Sequence, residues 1–387
     1  MVSGTLLQTV RAGAVRAARR IRRIRSHGLR WKKGIVYLLV STTVITAGLV
    51  AAGFHHIYFD RTDLPDIGPF ARFEFPTIGH IYDANGRPLG EVGTHRQITE
   101  YEDIPPIVRD AILAAEDKNF FSHSGVDYSI VLRVLGKVRI GSLAARLVKM
   151  GGQDEVSGPA IFPQGGSTIT QQLVRGHFLK NLTDFQNLTA QENSNRLRQG
   201  ILLPRALSFM IGARTALMVV RKMEEIRLSL WVEKEMQRRF GSKRRAKEEI
   251  LARYASFIYM GNSRYGFAAA AEYYFSRPLA TFTVHDADKA ALLAGIAKSP
   301  RYYAPSAKDT WRVLRRRDQT LGLMAKNGII SRDELREAER RPIVVVPWHR
   351  DKVLQAAAVV ENVFEELKGC CADLSPEIGR ASCRERV

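Results

Sequence analysis

Cysteine is scarce and confined to one end of the sequence. The chain has 387 residues and three cysteines, Cys370, Cys371 and Cys383. Everything before Cys370 lacks cysteine, which excludes a disulfide framework or a cysteine-ligated metal site from the main body. The hydrophobic content of 45% is ordinary for a globular protein. This length accommodates about two to three domains.

Acidic residues are missing from the start of the chain, where no aspartate or glutamate precedes Asp60. Basic residues are frequent in the same stretch: Arg11, Arg16, Arg19, Arg20, Arg22, Arg23, Arg25, Arg30, Lys32 and Lys33. They contribute to a formal net charge of +20, which is typical of proteins that meet nucleic acid, an anionic membrane or a phosphorylated ligand.

Charge of either sign is missing from Gly34 to Phe54. This run is long enough to cross a hydrocarbon core of about 30 Å, and it exceeds the apolar region of about 7–15 residues in a cleaved signal peptide. We therefore predict a basic cytoplasmic tail over 1–33 and a transmembrane anchor over 34–58. The positive-inside rule places the rest of the chain outside, so much of the positive charge sets topology and need not bind nucleic acid.

The remaining sequence divides by its periodicity. A β linker is predicted over 59–103, with a hairpin around Asn85-Gly86. Apolar residues then recur at helical spacing over 104–345, which predicts a mainly α body. Residues 346–376 are typical of the start of a further region. The last stretch, 377–387, resembles a translated sequencing adapter and is interpreted as foreign to the protein.

Glu116 and Asp117 stand at the predicted end of a helix, where the macrodipole disfavours an anion by about 0.3–1 kcal/mol. Such departures from local stability concentrate at working sites. Two plainer interpretations stay open: a solvated acidic pair, and a packed or capping His123. A metal site at these three residues has no second His or Cys cluster to support it.

Two further stretches have charge or glycine in a suggestive order. Arg221, Lys222 and Glu225 are three or four residues apart, so they share one helix face, either as simple salt bridges or as a grip on a phosphate. The stretch from Gly165 predicts a loop that becomes a helix capped by Thr168, with Arg175 one turn inside. It is either a well-capped helix start or an anion site.

Taken in order, these segments resemble the family 51 glycosyltransferases, the peptidoglycan glycosyltransferase domains of class A penicillin-binding proteins and monofunctional transglycosylases. The first family motif is matched by Glu116, Asp117, Phe120, His123 and Gly125, with Lys118 in place of the usual arginine. The second, GGSTITQQL, is intact from Gly165 to Leu173, and Arg175 replaces the usual lysine after it. The third is Arg221, Lys222 and Glu225. The resemblance extends from about Gly79 to Arg340.

The fourth family motif is incomplete in this sequence. It is kept at Lys247, Ile250, Leu251, Tyr254, Tyr259 and Gly261. Ala252 replaces its glutamate, and Ser256 replaces an asparagine that braces the site in the family. The segment between Phe178 and Arg221 is also longer than usual, and its apolar part is interpreted as an inserted loop or a membrane-facing element.

The resemblance implies a lysozyme-like, mainly α glycosyltransferase domain behind a single transmembrane helix and a short β-hairpin linker. It implies polymerisation of lipid II into glycan strands with release of undecaprenyl diphosphate. Glu116 is the implied general base and Glu225 the second catalytic glutamate. Cationic neighbours are expected to favour an ionised Glu116. The implied substrate-binding residues are Asp117, Phe120, His123, Gly165, Gly166, Ser167, Thr168, Gln171, Gln172, Arg175, Arg221 and Lys222.

The implied partners are lipid II, the growing glycan strand, the membrane and other cell-wall synthesis proteins, with no nucleic acid. No cofactor is required, although a divalent cation such as Mg or Mn is compatible with the family. The implied location is the bacterial inner membrane, with the catalytic domain on the periplasmic side. Three alternatives stay open: a lysozyme-like lytic hydrolase, a catalytically weak cell-wall scaffold, and a membrane-tethered nucleic-acid-binding regulator, which lacks a recognisable nucleic-acid motif.

Overall fold

The structure is a computed structural model that describes residues 34–75, 77–82, 84–86, 88–129, 166–180, 213–305 and 310–344. The chain divides into two compact units, Met1–Thr62 and Asp63–Val387. The predictions for 1–33, 346–376 and 377–387, and the apolar insertion over most of 179–220, lie outside the described residues.

The first unit is built on helix α1, Gly34–Tyr58, whose length and apolar composition are sufficient to cross a membrane. Two hydroxyl side chains donate hydrogen bonds to backbone carbonyls of the same helix: Thr42 to Leu38 at 2.7 Å and Thr43 to Leu39 at 2.9 Å. A hydroxyl bonded in this way can be accommodated in an apolar helix, since its donor is not left unpaired. The helix matches the predicted anchor segment.

The second unit begins with a one-turn helix and a hairpin. Helix α2 covers Gly68–Ala71. Strands β1, Ile78–Tyr82, and β2, Pro88–Gly93, pair antiparallel as the alternation around Asn85-Gly86 predicts. Gly86 has a φ of 77°, the left-handed conformation that favours glycine in such a turn. A two-residue strand β3, His95–Arg96, pairs in parallel with β4, Arg264–Tyr265.

The rest of the described body is helical, as predicted from the apolar spacing. The helices are α3 Pro106–Glu116, α4 Ile169–His177, α5 Ala213–Phe240, α6 Lys243–Phe257, α7 Phe267–Phe275, α8 Ala287–Lys298, α9 Pro300–Tyr303, α10 Thr310–Lys326 and α11 Arg332–Arg340. Short 3-10 turns at Leu279–Thr281 and Val284–Asp286 lead into α8. The predicted mainly α class is confirmed.

Two groups of helices form the core. Helices α3, α8 and α10 pack on one another, and α4, α5 and α6 form the second group, with α7 touching both α6 and α8. Helix α8 is rich in alanine and almost entirely buried, which lets its neighbours approach closely. The carboxyl end of α3 and the amino end of α4 meet between the groups, and the conspicuous polar residues of the sequence lie there.

Candidate active site

Glu116 is the last residue of α3, and its side chain is only 9% exposed. Gln172 of α4 donates a hydrogen bond of 2.7 Å from Nε2 to Glu116 Oε2. Burial raises the pKa of Glu116, while the Gln172 bond and the charges of Arg316 and Lys298 oppose that rise. The site therefore holds a desolvated carboxylate with a raised pKa, which is a common setting for a general acid or base.

Asp117 caps α3 and joins two other elements through its carboxylate. His123 lies 3.0 Å from it through Nε2, and the backbone N–H of Ile169 donates to it at 3.1 Å. Because His123 Nδ1 accepts the N–H of Gly125, the ring proton lies on Nε2 and points at Asp117. The anion that is unfavourable at the end of α3 thus lies at the start of α4, where the helix dipole favours it.

Thr168 caps the start of α4. Its Oγ1 accepts the Gln171 N–H at 3.2 Å and donates to the Gly125 carbonyl at 2.7 Å. Gly125 has a φ of 93°, and a Cβ there would lie 2.8 Å from the carbonyl oxygen of Ser229. The Thr168 hydroxyl therefore joins the second motif to the backbone of the first, and only glycine at position 125 allows that backbone to lie this close to α5.

A second carboxylate, Glu225 of α5, lies among three cations and is 1% exposed. Lys222 Nζ is 3.1 Å from Glu225 Oε2, whereas Arg221 Nε and Arg175 Nη1 lie 3.4 Å and 3.7 Å from Oε1. Three cations facing one carboxylate leave an excess of positive charge. Desolvation lowers the pKa of both Lys222 and Arg221, and Glu225 opposes this effect.

Two adjacent glutamines of α4 connect the two carboxylates. Gln172 binds Glu116, and Gln171 Oε1 accepts from Lys222 Nζ at 2.8 Å. Lys222 also donates to Ser167 Oγ at 2.9 Å. The Gln171 side chain is thus committed to the cation cluster and does not complete the reciprocal capping box predicted from its spacing with Thr168.

A buried ion pair supports this arrangement from behind. Lys247 of α6 is fully buried and contacts Glu233 of α5 at 2.5 Å, and Thr170 donates to the same carboxylate at 2.6 Å. Lys247 Nζ also lies 4.2 Å from the ring centroid of Phe120. Glu233 was not predicted as a site residue from the sequence, although a carboxylate on the buried face of an amphipathic helix is an unusual feature that indicates such a role.

The structure adds two observations about these residues. Phe120, for which substrate binding stays a prediction, is fully buried and packs edge-on against the His123 ring. The cations Arg175, Arg221 and Lys222 surround Glu225, whereas those acting on Glu116 are Arg316 and Lys298, which the sequence analysis missed. Arg316 could have been noticed as an arginine at a buried position of α10.

Other candidate residues have simpler outcomes. Gly166 and Ser167 are partly exposed at the start of α4, and Gly165 lies outside the described residues. Ser256 Oγ accepts the Thr99 N–H at 3.0 Å, so the substituted position of the fourth motif braces the linker, while Ala252 is buried in the core. Among the described residues, no group of three or more His, Cys, Asp or Glu side chains could hold a metal ion.

Comparison with protein families matches the transglycosylase family model to residues 85–202 and 205–325, more than half of the chain. The chain belongs to the transglycosylase family. The matched residues include both carboxylates, the cation cluster and Arg316. The predicted family and enzyme class, a peptidoglycan glycosyltransferase, are thereby confirmed.

Relatives of this transglycosylase chain are penicillin-binding proteins. Penicillin-binding protein 1A of Rickettsia bellii is 27% identical over 85% of this chain and 34% of its own length. The Pseudomonas aeruginosa protein of the same name is 27% identical over 84% of this chain and 32% of its own. Penicillin-binding protein 1A/1B of Bacillus subtilis is 28% identical over 79% of this chain and 27% of its own length. The chain thus spans about a third of the length of the curated relatives it matches.

A solved structure is also similar to the chain. Penicillin-binding protein 1A from Haemophilus influenzae is 19% identical and covers 78% of this chain and 25% of its own, with a TM-score of 0.37. That TM-score is too low for the superposition to add to the family assignment.

Proposed function

We propose that this chain polymerises lipid II into glycan strands. One observation supports it most strongly: helix α4 joins a desolvated carboxylate, Glu116, to a carboxylate surrounded by three cations, through neighbouring glutamines. A glycosyl transfer from a lipid diphosphate needs a base for the acceptor hydroxyl and positive charge for the leaving group. Gln172 contacts the first of these groups and Gln171 contacts the second.

Glu116 accepts the proton of the acceptor sugar's 4-hydroxyl as that oxygen attacks the anomeric carbon of the donor. The bond from this carbon to the diphosphate oxygen breaks with inversion, and undecaprenyl diphosphate leaves with the electron pair. Arg175, Arg221 and Lys222 stabilise the negative charge that develops on the leaving group. Glu225 holds these three cations together and orients them.

Asp117, His123 and Thr168 maintain the frame in which these groups act. Their hydrogen bonds connect the end of α3 to the start of α4, which keeps Glu116 within hydrogen-bonding distance of Gln172. Gly166 and Ser167, beside Lys222, line the approach to the diphosphate, and Gly165 belongs to the same loop in sequence. The membrane helix α1 keeps the enzyme at the bilayer that holds its lipid-linked substrate, with the body on the periplasmic side.

The experiment is incubation of the purified chain with labelled lipid II in detergent, with product chains separated on a gel. Glu116→Gln should reduce the rate by about 10²–10⁴-fold, the usual contribution of a general base. Glu102→Gln is the matched control, since Glu102 is an exposed carboxylate paired with Arg245 at the surface. Assays with a chelator, Mg²⁺ and Mn²⁺ measure any effect of a divalent cation.

Three results would count against the proposal. Polymerisation by Glu116→Gln at the wild-type rate would remove Glu116 as the base. Release of soluble sugars from purified cell wall, without polymer from lipid II, would favour the lytic hydrolase, although such an enzyme has no diphosphate for the cations to hold. Absence of both activities would leave a scaffold role.

A further inference from the structure

Glu116 faces an arginine that the proposed reaction has not used. Nη2 of Arg316 lies 4.0 Å from Glu116 Oε1, and the two side chains are 6% and 9% exposed. Each of these two atoms is buried without a hydrogen-bond partner among the described residues. The separation is too long for a direct hydrogen bond, yet the opposite charges remain close enough to interact strongly in a poorly solvated site.

The packing of three helices holds Arg316 in place. Its Nε donates to the Gly295 carbonyl of α8 at 3.4 Å, and its guanidinium carbon lies 5.7 Å from the ring centroid of Tyr303. A Cβ at Gly295 would be 3.1 Å from Arg316 Cγ, so the side chain runs closely over the α8 backbone. Since α8 and α10 both pack on α3, the guanidinium is held beside the end of α3.

This placement is expensive for a residue with only a structural role. A buried donor without a hydrogen-bond partner destabilises the folded protein, and more so when the group is charged. An apolar side chain of similar volume often replaces a buried ionic group without loss of stability. A polar group kept at such a cost is typical of a working site.

We propose that Arg316 is a positioning residue that keeps the Glu116 carboxylate ionised and leaves its Oε1 without a hydrogen-bond partner, so that this oxygen can accept the proton of the acceptor hydroxyl. Gln172 occupies Oε2, so Oε1 is the oxygen that remains for the proton. A hydroxyl seated between Oε1 and Nη2 donates to the carboxylate and accepts from the guanidinium. This inference rests on the proposed function, in which Glu116 is the base.

Other charged or titratable groups also face Glu116. Asp117 is its neighbour in the chain, Lys298 ends α8, and Tyr254 of α6 is buried nearby. Burial raises the pKa of Glu116 and Asp117 raises it further, while Arg316 and Lys298 lower it. Lys298 is exposed and therefore screened by solvent, which leaves Arg316 as the main cation opposing protonation.

The experiment measures the pH dependence of lipid II polymerisation under saturating substrate, together with thermal unfolding. Arg316→Met keeps the stem volume and removes the charge, and Arg316→Gln is a second neutral variant. Both should move the acidic limb of kcat upward by about 1–3 pH units, the usual effect of losing a cation at this distance. Activity should recover at higher pH, and Arg316→Lys should restore most of the wild-type limb.

Arg317 provides a matched control because it is the next residue and is also buried. Its guanidinium donates to the carbonyls of Glu339 at 2.8 Å and Arg341 at 2.5 Å, so it ties down the end of α11. Arg317→Gln should lower the unfolding temperature and leave the acidic limb where it is.

The inference is wrong if wild-type protein polymerises lipid II, Glu116→Gln does not, and the neutral Arg316 variants lose activity equally at every pH. It is also wrong if these variants do not fold and Arg316→Lys shares their defect, since Arg316 then serves the core alone. Failure of the proposed function is a different result: no polymer from the wild type, or undiminished polymer from Glu116→Gln.

Discussion

Glu116 and Glu225 are the same residue type in opposite surroundings. Burial raises the pKa of Glu116, whereas Glu225 lies within 4 Å of three cationic side chains. Carboxylates whose environments differ in this way typically divide the work of a site. Under the proposed mechanism, Glu116 moves a proton and Glu225 organises positive charge.

Arg175 provides a test at the scale of one residue. It extends from α4 toward Glu225, and its side chain is a third exposed, so a ligand can reach it. Arg175→Ala should raise KM for lipid II about tenfold with a smaller change in kcat, which corresponds to loss of one charged contact worth about 1.5 kcal/mol. Arg175→Lys should retain most of the affinity, because the charge remains while the planar fork is lost.

The control for Arg175 is Arg238→Ala at the far end of α5. Arg238 is exposed and pairs with Glu235, away from the cation cluster. Removing it should leave KM unchanged. Equal kinetics for Arg175→Ala and Arg238→Ala would exclude Arg175 from the diphosphate site.

Individual residues were predictable from the sequence to different degrees. The cluster of Arg221, Lys222 and Glu225 follows from helical spacing, because residues three and four apart share a face. The link from Gln172 to Glu116 could not be predicted, since it joins residues 56 positions apart in the chain. Arg316 was missed because its importance depends on which helix packs beside it.

At the scale of elements, α4 ends in an aromatic cluster around His177. Its ring centroid lies 4.5 Å from Phe178, 5.4 Å from Phe70, 5.5 Å from Phe75 and 5.9 Å from Phe257. Burial lowers the pKa of His177 from 6.5 to about 4. The neutral ring therefore fixes the carboxyl end of the helix that carries Gln171 and Gln172.

This cluster predicts a pH dependence of stability. The folded protein holds His177 neutral down to about pH 4, while the unfolded chain binds a proton already below about pH 6.5. The free energy of unfolding is therefore unaffected by this group above pH 6.5. It decreases as the pH falls toward 4, by at most roughly 3 kcal/mol. His177→Phe should unfold in urea with a midpoint that depends less on pH across this window.

The measurement is the difference between wild type and variant, because other groups titrate over the same range. At pH 7.5 the two proteins should differ little, and at pH 4.5 the variant should be the more stable. Parallel stability curves from pH 7.5 to 4.5 would show that His177 titrates normally in the folded state.

The elements themselves were largely predictable. Apolar residues at helical spacing predicted a mainly α body over 104–345, and the structure has its longest helix, Ala213–Phe240, among the described residues of that range. The turn at Asn327-Gly328 separates α10 and α11, with Gly328 at a φ of 74°. Strand β4 was not predicted, since two residues carry no periodicity and the strand exists only by pairing with β3.

At the scale of the whole molecule, the candidate site and the core belong to one unit. The two carboxylates, the cation cluster and the packed helices all lie beyond Asp63, whereas α1 lies in the other unit. A chain that begins at Asp63 should therefore unfold cooperatively and polymerise lipid II dispersed in detergent, at a rate similar to that of the full chain.

Membrane extraction is the companion measurement. The full chain should stay with vesicles in alkaline carbonate, and the chain from Asp63 should be released. If the shorter chain also resists extraction, its apolar segment before Arg221 enters the bilayer. If it is folded but inactive in detergent, the unit containing α1 takes part in the reaction.

The sequence by itself determined the class of this protein. The apolar anchor, the helical periodicity and the order of short motifs are local patterns, which depend only on residues close together in the chain. The tertiary structure decided which charges act on which carboxylate. Burial and distance between remote helices set those interactions: Arg316 reaches Glu116 only because α8 and α10 pack against α3, and the cations of α4 and α5 converge on Glu225.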